Sequence, residues 1–283
     1  MEYTIDHETA YRYPRPVSES FTIVHLRPRT NLRQYCTRYE LVVDPATRVF
    51  SYLDRFGNEV QHFAVMLEHD ELRIVARSHV VTLPTSGGEI PHDVDAARLR
   101  ADPLVAELAD YLGSTPYVVL GPDVARLAAA VPAATDDLAA FFLAAGSFVH
   151  DAFVYRPGVT NVRTTVGDVI DAGVGVCQDF AHVLIALARV RGIPARYCSG
   201  YVFRGTGATL GAEASHAWVE AYLPPYGWVG FDPTNDRLID DAFVLVAFGR
   251  DYGDVSPTRG SYRGVDPGDL HVTVAVDAAA EQQ

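Results

Sequence analysis

The apolar residues of this chain change period part-way along, and that change limits the folds open to it. Up to about residue 85 they follow the rhythm of strands. YTIDHETAY, SESFTIVHLRP, YCTRYELVVDP, RVFSYLDRFGNEV, QHFAVMLE and LRIVARSHVVTL are rich in Val, Ile, Tyr, Phe and Thr. Turn signals such as DPAT and FGNE separate some of them. In LRIVARSHV, Leu72, Ile74 and Ala76 fall on one face and Arg73, Val75 and Arg77 on the other, as in an antiparallel sheet with one wetter face. PTSGGEIPHD, residues 84–93, breaks the pattern as a linker would. Helical stripes follow. ADPLVAELADYL has Pro103 in its first turn. TDDLAAFFLAAGSFVHDAF has Thr135 placed as its cap and Leu138, Phe141, Phe142, Ala145, Phe148 and Val149 at the spacing of a buried stripe. Strands return in ARYCSGYVF, SHAWVEAYL and GWVGFDPT, and the tail LHVTVAV reads as a last one. The pattern predicts an α+β chain in two parts: an antiparallel β domain over residues 1–88, and an α+β core over residues 89–283 that ends in closing strands.

Between the helices and the later strands lies GVGVCQDFAHVLIALARV, residues 173–190. Phe180, Val183, Leu184 and Leu187 recur at helical spacing, so one face is core, and RGIPAR ends the helix with Gly and Pro. Cys177 stands at its start. A helix N-terminus carries unpaired N–H groups and about half a positive charge, which favours thiolate over thiol. Gly173 and Gly175 clear side chains from the approach. The bland alternative is a small buried residue at a helix start.

A thiol nucleophile needs a base, and the base needs an orienting group. SHAWVEAY and YGWVGFD read as a hairpin joined across Leu223, Pro224 and Pro225. A turn centred on Pro224 sets residue 216 opposite 232 and residue 218 opposite 230. His216 and Asp232 then share a face as a cross-strand pair, about 4.5–5.5 Å apart at Cβ. The carboxylate would fix the imidazole tautomer and leave the other ring nitrogen for the thiol. A slip of one residue would destroy the pairing. Taken singly, His216 is a polar residue on a half-buried strand, and Asp232, ahead of Pro233, opens a turn.

Other residues bear on the same region. Trp218 is expected on the face of His216, where it either walls a cleft or packs. Asp179 complements the helix dipole in the first turn. His182 lies five residues past Cys177, about 140° round the helix, and so off any shared face. GTGATLGAE, residues 205–213, suggests a mobile loop beside the site. The formal charge of −13 and the absence of a basic run argue against nucleic acid. No apolar run is long enough for a membrane span, and the first residues lack a secretory pattern. Cys36, Cys177 and Cys198 are an odd, scattered set, which fits a reducing compartment, the cytoplasm. No metal or cofactor motif is present.

GVCQDFAHV, GIPARYCSGYV, ASHAWVEAYLP and GWVGFDPTN together resemble the core of the bacterial transglutaminase-like superfamily. HETAYRYPRPV, HLRPR and DRFGNEV resemble the β domain that precedes this core in one bacterial branch, and GRDYGDVSPTRGSYRG resembles that branch's closing segment. The resemblance implies a papain-like fold with Cys177 as nucleophile, His216 as base and Asp232 as orienting acid. It implies acyl transfer from an amide or peptide substrate through a thioester, to water or to a primary amine acceptor. The oxyanion would meet the Cys177 backbone N–H and a second donor, for which Tyr155 and Gln178 are the candidates. Arg250, Asp251 and Tyr252 come from the resemblance too, as cleft-lining residues or fasteners of the C-terminal segment. The other class of function open to such a chain is a non-catalytic interaction module that keeps the fold.

Overall fold

In the computed structural model, residues 1–84, 90–132, 136–203, 205, 215–265 and 268–278 are described. The first long strand, β1 (Glu2–Val24), organises the N-terminal sheet. Its first half pairs with β5 (His69–Thr82) on one side and β14 (Asp269–Ala278) on the other. Its second half pairs with β4 (Glu59–Val65) and β13 (Thr258–Arg263). β2 (Gln34–Asp44) extends the sheet beyond β5, and β3 (Phe50–Leu53) extends it beyond β4. The two segments YTIDHETAY and SESFTIVHLRP, read above as separate strands, are thus one bent strand. Register along β1 shifts between Arg12 and Val17. Pro14 and Pro16 fall there, and neither can donate to a ladder, so the strand changes partners at that point.

The helices come next. α1 (Ala96–Ala101) runs into a 3-10 segment (Pro103–Tyr111), and α2 (Pro122–Ala130) and α3 (Leu138–Ala152) follow. Asp137 caps α3 by accepting from the Ala139 N–H. Thr135, the expected cap, lies outside the described residues. β6 (Val154–Tyr155) and β7 (Val174–Gly175) form a short parallel pair on either side of α4 (Val166–Ala172). Gly173 ends α4 in the left-handed conformation at φ 67°.

α5 (Cys177–Val190) is the central helix. The sequence predicts one buried face, but every residue from Asp179 to Arg189 is buried. The reason is its position: α2, α3 and α4 surround it on one side and the second sheet covers the other. Even Arg189 is internal, with its guanidinium hydrogen-bonded to the carbonyls of Ala195, Gly113 and Arg250. The second sheet is antiparallel, in the order β11 (Arg237–Leu238), β10 (Gly227–Asp232), β9 (His216–Leu223), β8 (Ala195–Val202), β12 (Phe243–Gly249). α6 (Tyr252–Val255) leads from β12 to β13.

β12 is an edge strand, and an unpaired edge invites foreign strands. Two amides from the N-terminal part satisfy it. Gln34 accepts from Leu245 N (2.8 Å) and donates to Leu245 O (2.8 Å). Asn58 does the same to Phe248 N and O (3.0 and 2.8 Å). The boundary near residue 88 therefore does not separate two independent sheets. β13 and β14 leave the core and join β1, so the chain closes on its own N-terminal sheet. Among the described residues no helix is long and apolar enough to cross a membrane.

Candidate active site

Cys177 is the first residue of α5 and is partly exposed. Its position depends on a tight turn around Asp179. The Asp179 carboxylate reaches back to accept from Val176 N (2.8 Å) and from the Thr160 hydroxyl (2.7 Å). Burial raises its pKa, against the pull of those two hydrogen bonds. A β-carbon at residue 175 would lie 2.8 Å from Asp179 Cβ, so only glycine fits beneath the turn. Asp179 thus ties the 157–165 loop to the helix start as well as facing the dipole.

His216 opens β9 and is buried. Its Nε2 donates to Asp232 Oδ2 at 2.7 Å. The pairing register differs from the one expected. The turn occupies Pro224, Pro225 and Tyr226, with Gly227 at φ 73°, and Leu223 pairs with Gly227. Gly230 therefore faces Glu220, and by the same register Asp232 comes opposite Trp218. The ladder is displaced by two residues, which keeps side chains on their faces. His216 and Asp232 become diagonal neighbours, and an imidazole spans that separation.

Asp232 is fully buried and serves the turn and the imidazole together. Its Oδ1 accepts from Thr234 N (2.9 Å) and Asn235 N (3.3 Å), and its Oδ2 accepts from Asn235 Nδ2 (2.5 Å) as well as from His216. Burial disfavours its charge, but these hydrogen bonds outweigh burial and hold its pKa below the usual carboxylate value. Burial likewise opposes charge on His216. Hydrogen bonds to Asp232 and Cys177, and the charges of both, overcome it and raise the imidazole pKa to about 9. Since Nε2 is committed to Asp232, Nδ1 is the nitrogen left for the thiol.

Cys177 and His216 line a cavity of about 450 Å³. Gln178 lines it too, and its Nε2 is buried without a hydrogen-bond partner. Tyr252 stands across the cavity, its N–H donating to His182 Nε2 (3.1 Å) and its phenol raised to about 12 by burial. Two of the predicted cleft residues lie elsewhere. Tyr155 sits on β6, with its ring edge-on to Phe180 at 6.1 Å, and is not part of the lining. Trp218 does share the face of His216, with ring centroids 6.5 Å apart, but it packs against Phe243 at 5.4 Å and is not part of the lining. It is drawn there because Gly200 on the adjoining strand leaves room: a β-carbon at 200 would lie 2.7 Å from the indole. Asp251 caps α6, and Arg250 pairs with Asp254 at 2.9 Å, so both fasten the closing segment. The expected loop over 205–213 lies outside the described residues apart from Gly205.

Sequence reasoning missed one wall entirely. His7, Thr9 and Tyr11 project from β1 into the lining, as do Leu270 and Val272 from β14. His7 bonds Tyr201 of the second sheet at 2.9 Å. The available signal was His7, Thr9 and Tyr11 at every second position of an otherwise apolar strand face. Tyr197 and Asn235 were also missed; Asn235 follows Asp232 in DPTN, where it reads as an ordinary turn residue. Among the described residues no three of His, Cys, Asp and Glu converge to hold a metal ion.

Comparison with known proteins gives consistent results. The profile of the transglutaminase-like superfamily matches residues 125–233, a span containing Cys177, His216 and Asp232. That of the bacterial transglutaminase-like N-terminal region matches residues 3–81. An uncharacterized protein of Mycobacterium leprae is 34% identical over 279 residues, covering 97% of this chain and 98% of its own length. The protein-glutamine gamma-glutamyltransferase of Pseudomonas aeruginosa is 33% identical over 94 residues, 31% of this chain and 14% of that protein. The crystal structure of a candidate cysteine protease from Cytophaga hutchinsonii superposes with a TM-score of 0.77 at 23% identity, covering 99% of this chain and 92% of that one, and shares the fold.

Proposed function

The chain belongs to the transglutaminase-like superfamily, and from that premise we propose that it is a cysteine-dependent acyl-transfer enzyme acting on amide or peptide bonds. The observation that carries the reading is the buried Asp232–His216 hydrogen bond with Cys177 and His216 in the lining of one cavity. Asp232 holds the imidazole in one tautomer, and the raised pKa of His216 keeps an imidazolium beside the sulfur at neutral pH. The Cys177 thiolate attacks the amide carbonyl carbon. Charge develops on the oxygen, against the Cys177 backbone N–H at the start of α5. Gln178 Nε2, which lacks a partner in the cavity wall, is the second donor. The C–N bond breaks as His216 Nδ1 gives its proton to the leaving amine, and a thioester remains on Cys177. Water or a primary amine then attacks the thioester, His216 takes the proton, and the thiolate returns. A reducing cytoplasm would keep the sulfur available, and all three cysteines are free.

The test is incubation with a glutamine-containing peptide and a labelled primary amine. Incorporation of label marks transfer to the amine. Release of ammonia or of a shorter peptide without incorporation marks hydrolysis. Cys177→Ala should do neither while keeping the wild-type circular dichroism spectrum. Turnover by that variant would refute the reading.

A further inference from the structure

The acceptor and donor sides of such a reaction are often set by what lies beside the nucleophile, and here the lining is unusual in charge. The chain carries −13, yet among the described residues no Asp or Glu lines the Cys177 cavity. Apart from the His216 imidazolium, Arg259 is the one cationic side chain among the described lining residues. Arg259 also lines a second hollow of about 570 Å³, likewise without a carboxylate among its described lining residues. The two hollows meet at β13: Thr258 faces the Cys177 cavity, Arg259 faces both, and Gly260 and Ser261 face the second.

The second hollow is the outer face of the N-terminal sheet. Arg259 pairs with Ile23, Ile23 with His62, and His62 with Phe50, so these four make one row across the strands. Phe21 and Tyr52 flank the row and are 53% and 50% exposed. Other arginines of this sheet are answered by carboxylates: Arg73 by Glu8, Arg77 by Asp6 and Arg263 by Glu19. Arg259 forms no ion pair among the described residues, and its Nη1 makes only a long hydrogen bond to Gly253 O at 3.4 Å.

We propose that the substrate is a polypeptide with a carboxylate on a residue flanking the scissile amide, held by Arg259, and with an apolar or aromatic stretch laid over Phe21 and Tyr52. This rests on the reading of Cys177 as an acyl-transfer nucleophile. Charge complementarity selects the acidic residue, because a carboxylate entering this cavity meets a cation and, among the described lining residues, no competing anion. Continuity of the two hollows through Arg259 selects the apolar segment. A guanidinium donates to a carboxylate through two parallel N–H groups, which fixes direction as well as affinity.

The experiment alkylates Cys177 with iodoacetyl tripeptide amides that carry Asp, Asn or Lys at the first or second position and Phe or Ala at the third. Rate constants are read by mass spectrometry at Cys177. Asp peptides should react roughly tenfold faster than their Asn counterparts at low salt, the scale of a charge-assisted hydrogen bond. Raising the salt should shrink that ratio. Arg259→Gln should bring the ratio to one, and Arg259→Glu should favour Lys over Asp. Phe21→Ala should remove the advantage of Phe over Ala at the third position. Arg263→Gln, which sits outside both hollows, should leave every ratio as in the wild type. If plain iodoacetamide modifies Cys177 much faster than Cys36 while Asp and Asn peptides react alike, the substrate proposal falls and the acyl-transfer reading stands. If Cys177 reacts no faster than Cys36, both fall.

Discussion

Two imidazoles on either side of Cys177 lie at nearly the same depth and have opposite characters. His216 is 6% exposed and His182 is 1% exposed. Burial pushes both toward the neutral form. For His182 nothing opposes it: the ring lies between Tyr117 and Tyr197, at 5.3 and 5.1 Å, the nearby Arg189 adds to the effect, and the pKa falls to about 3. For His216 the same penalty is outweighed by Asp232 and Cys177, and the pKa rises to about 9. Depth therefore does not set the charge of a buried histidine here; the partner on its ring nitrogen does. His182 uses Nε2 as an acceptor, for the N–H of Tyr252, a role open only to a neutral ring. His216 instead gives Nε2 to the Asp232 carboxylate. One histidine fastens α6 beside the cavity, and the other pairs with a buried carboxylate in the cavity wall.

The largest effect on this contrast should come from Asp232→Asn. It removes the anion while keeping the size of the side chain. The His216 pKa should fall from about 9, because the main opposition to its burial is lost. Turnover should fall by about 10²–10⁴, the usual worth of positioned acid–base chemistry, and alkylation of Cys177 at neutral pH should slow as the imidazolium beside the sulfur is lost. The imidazole is followed by NMR titration and the sulfur by iodoacetamide kinetics. An unchanged His216 pKa would break the comparison at its centre.

Next in size is the dependence of stability on pH, in which the two rings act at opposite ends. His216 has a folded pKa above the unfolded value of 6.5, so its contribution is fully present below pH 6.5 and is lost as pH rises through about 9. His182 has a folded pKa below the unfolded value, so the unfolded chain takes up the extra proton, and stability falls as pH drops from 6.5 toward about 3. Urea titrations across pH should show His182→Phe flattening the acid side and His216→Ala flattening the alkaline side. At pH 7, His182→Phe should also cost about 1–3 kcal/mol, since the partly buried Tyr252 N–H loses its acceptor. It should leave the His216 pKa in place.

The contrast also shows what a sequence can disclose. The place of Cys177 was legible because a helix start has local signals, and the α+β class was legible because the apolar period changes. The shared face of His216 and Asp232 was legible because faces survive a two-residue displacement, whereas the register depended on how Pro224, Pro225 and Tyr226 divide the turn. The character of His182 was only half legible. Helical angle excluded it from the face of Cys177, but its aromatic box comes from Tyr117, Tyr197 and Tyr252, drawn from elements far apart in the chain. The same holds for the wall formed by His7, Thr9 and Tyr11, and for the amides of Gln34 and Asn58 on β12. Non-local contacts leave no periodic trace. The burial of α5 on all sides was missed because a stripe predicts a minimum of burial and says nothing of what else packs around the helix.

The smallest test concerns Asn235, which separates the structural and chemical duties of Asp232. Its Nδ2 donates to the same Asp232 oxygen that accepts from His216 and lies 3.5 Å from His216 Nε2. That hydrogen bond helps keep Asp232 ionised. Asn235→Ala should therefore raise the Asp232 pKa, while Thr234 N and the residue 235 N–H still hold Oδ1 and the turn. The loss is one hydrogen bond to a charged, buried acceptor, about 1.5–3 kcal/mol. Part of it should be recovered, because the oxygen, freed of its second donor, binds the imidazolium more strongly. The expected outcome is a lower urea midpoint with a His216 pKa that stays near 9 or rises, and an alkylation rate changed by only a few-fold. A fall in the His216 pKa would instead mean that Asn235 sets the orientation of the carboxylate. The acid partner of His216 would then be a two-residue unit, and the difference between the two histidines would owe as much to geometry as to charge.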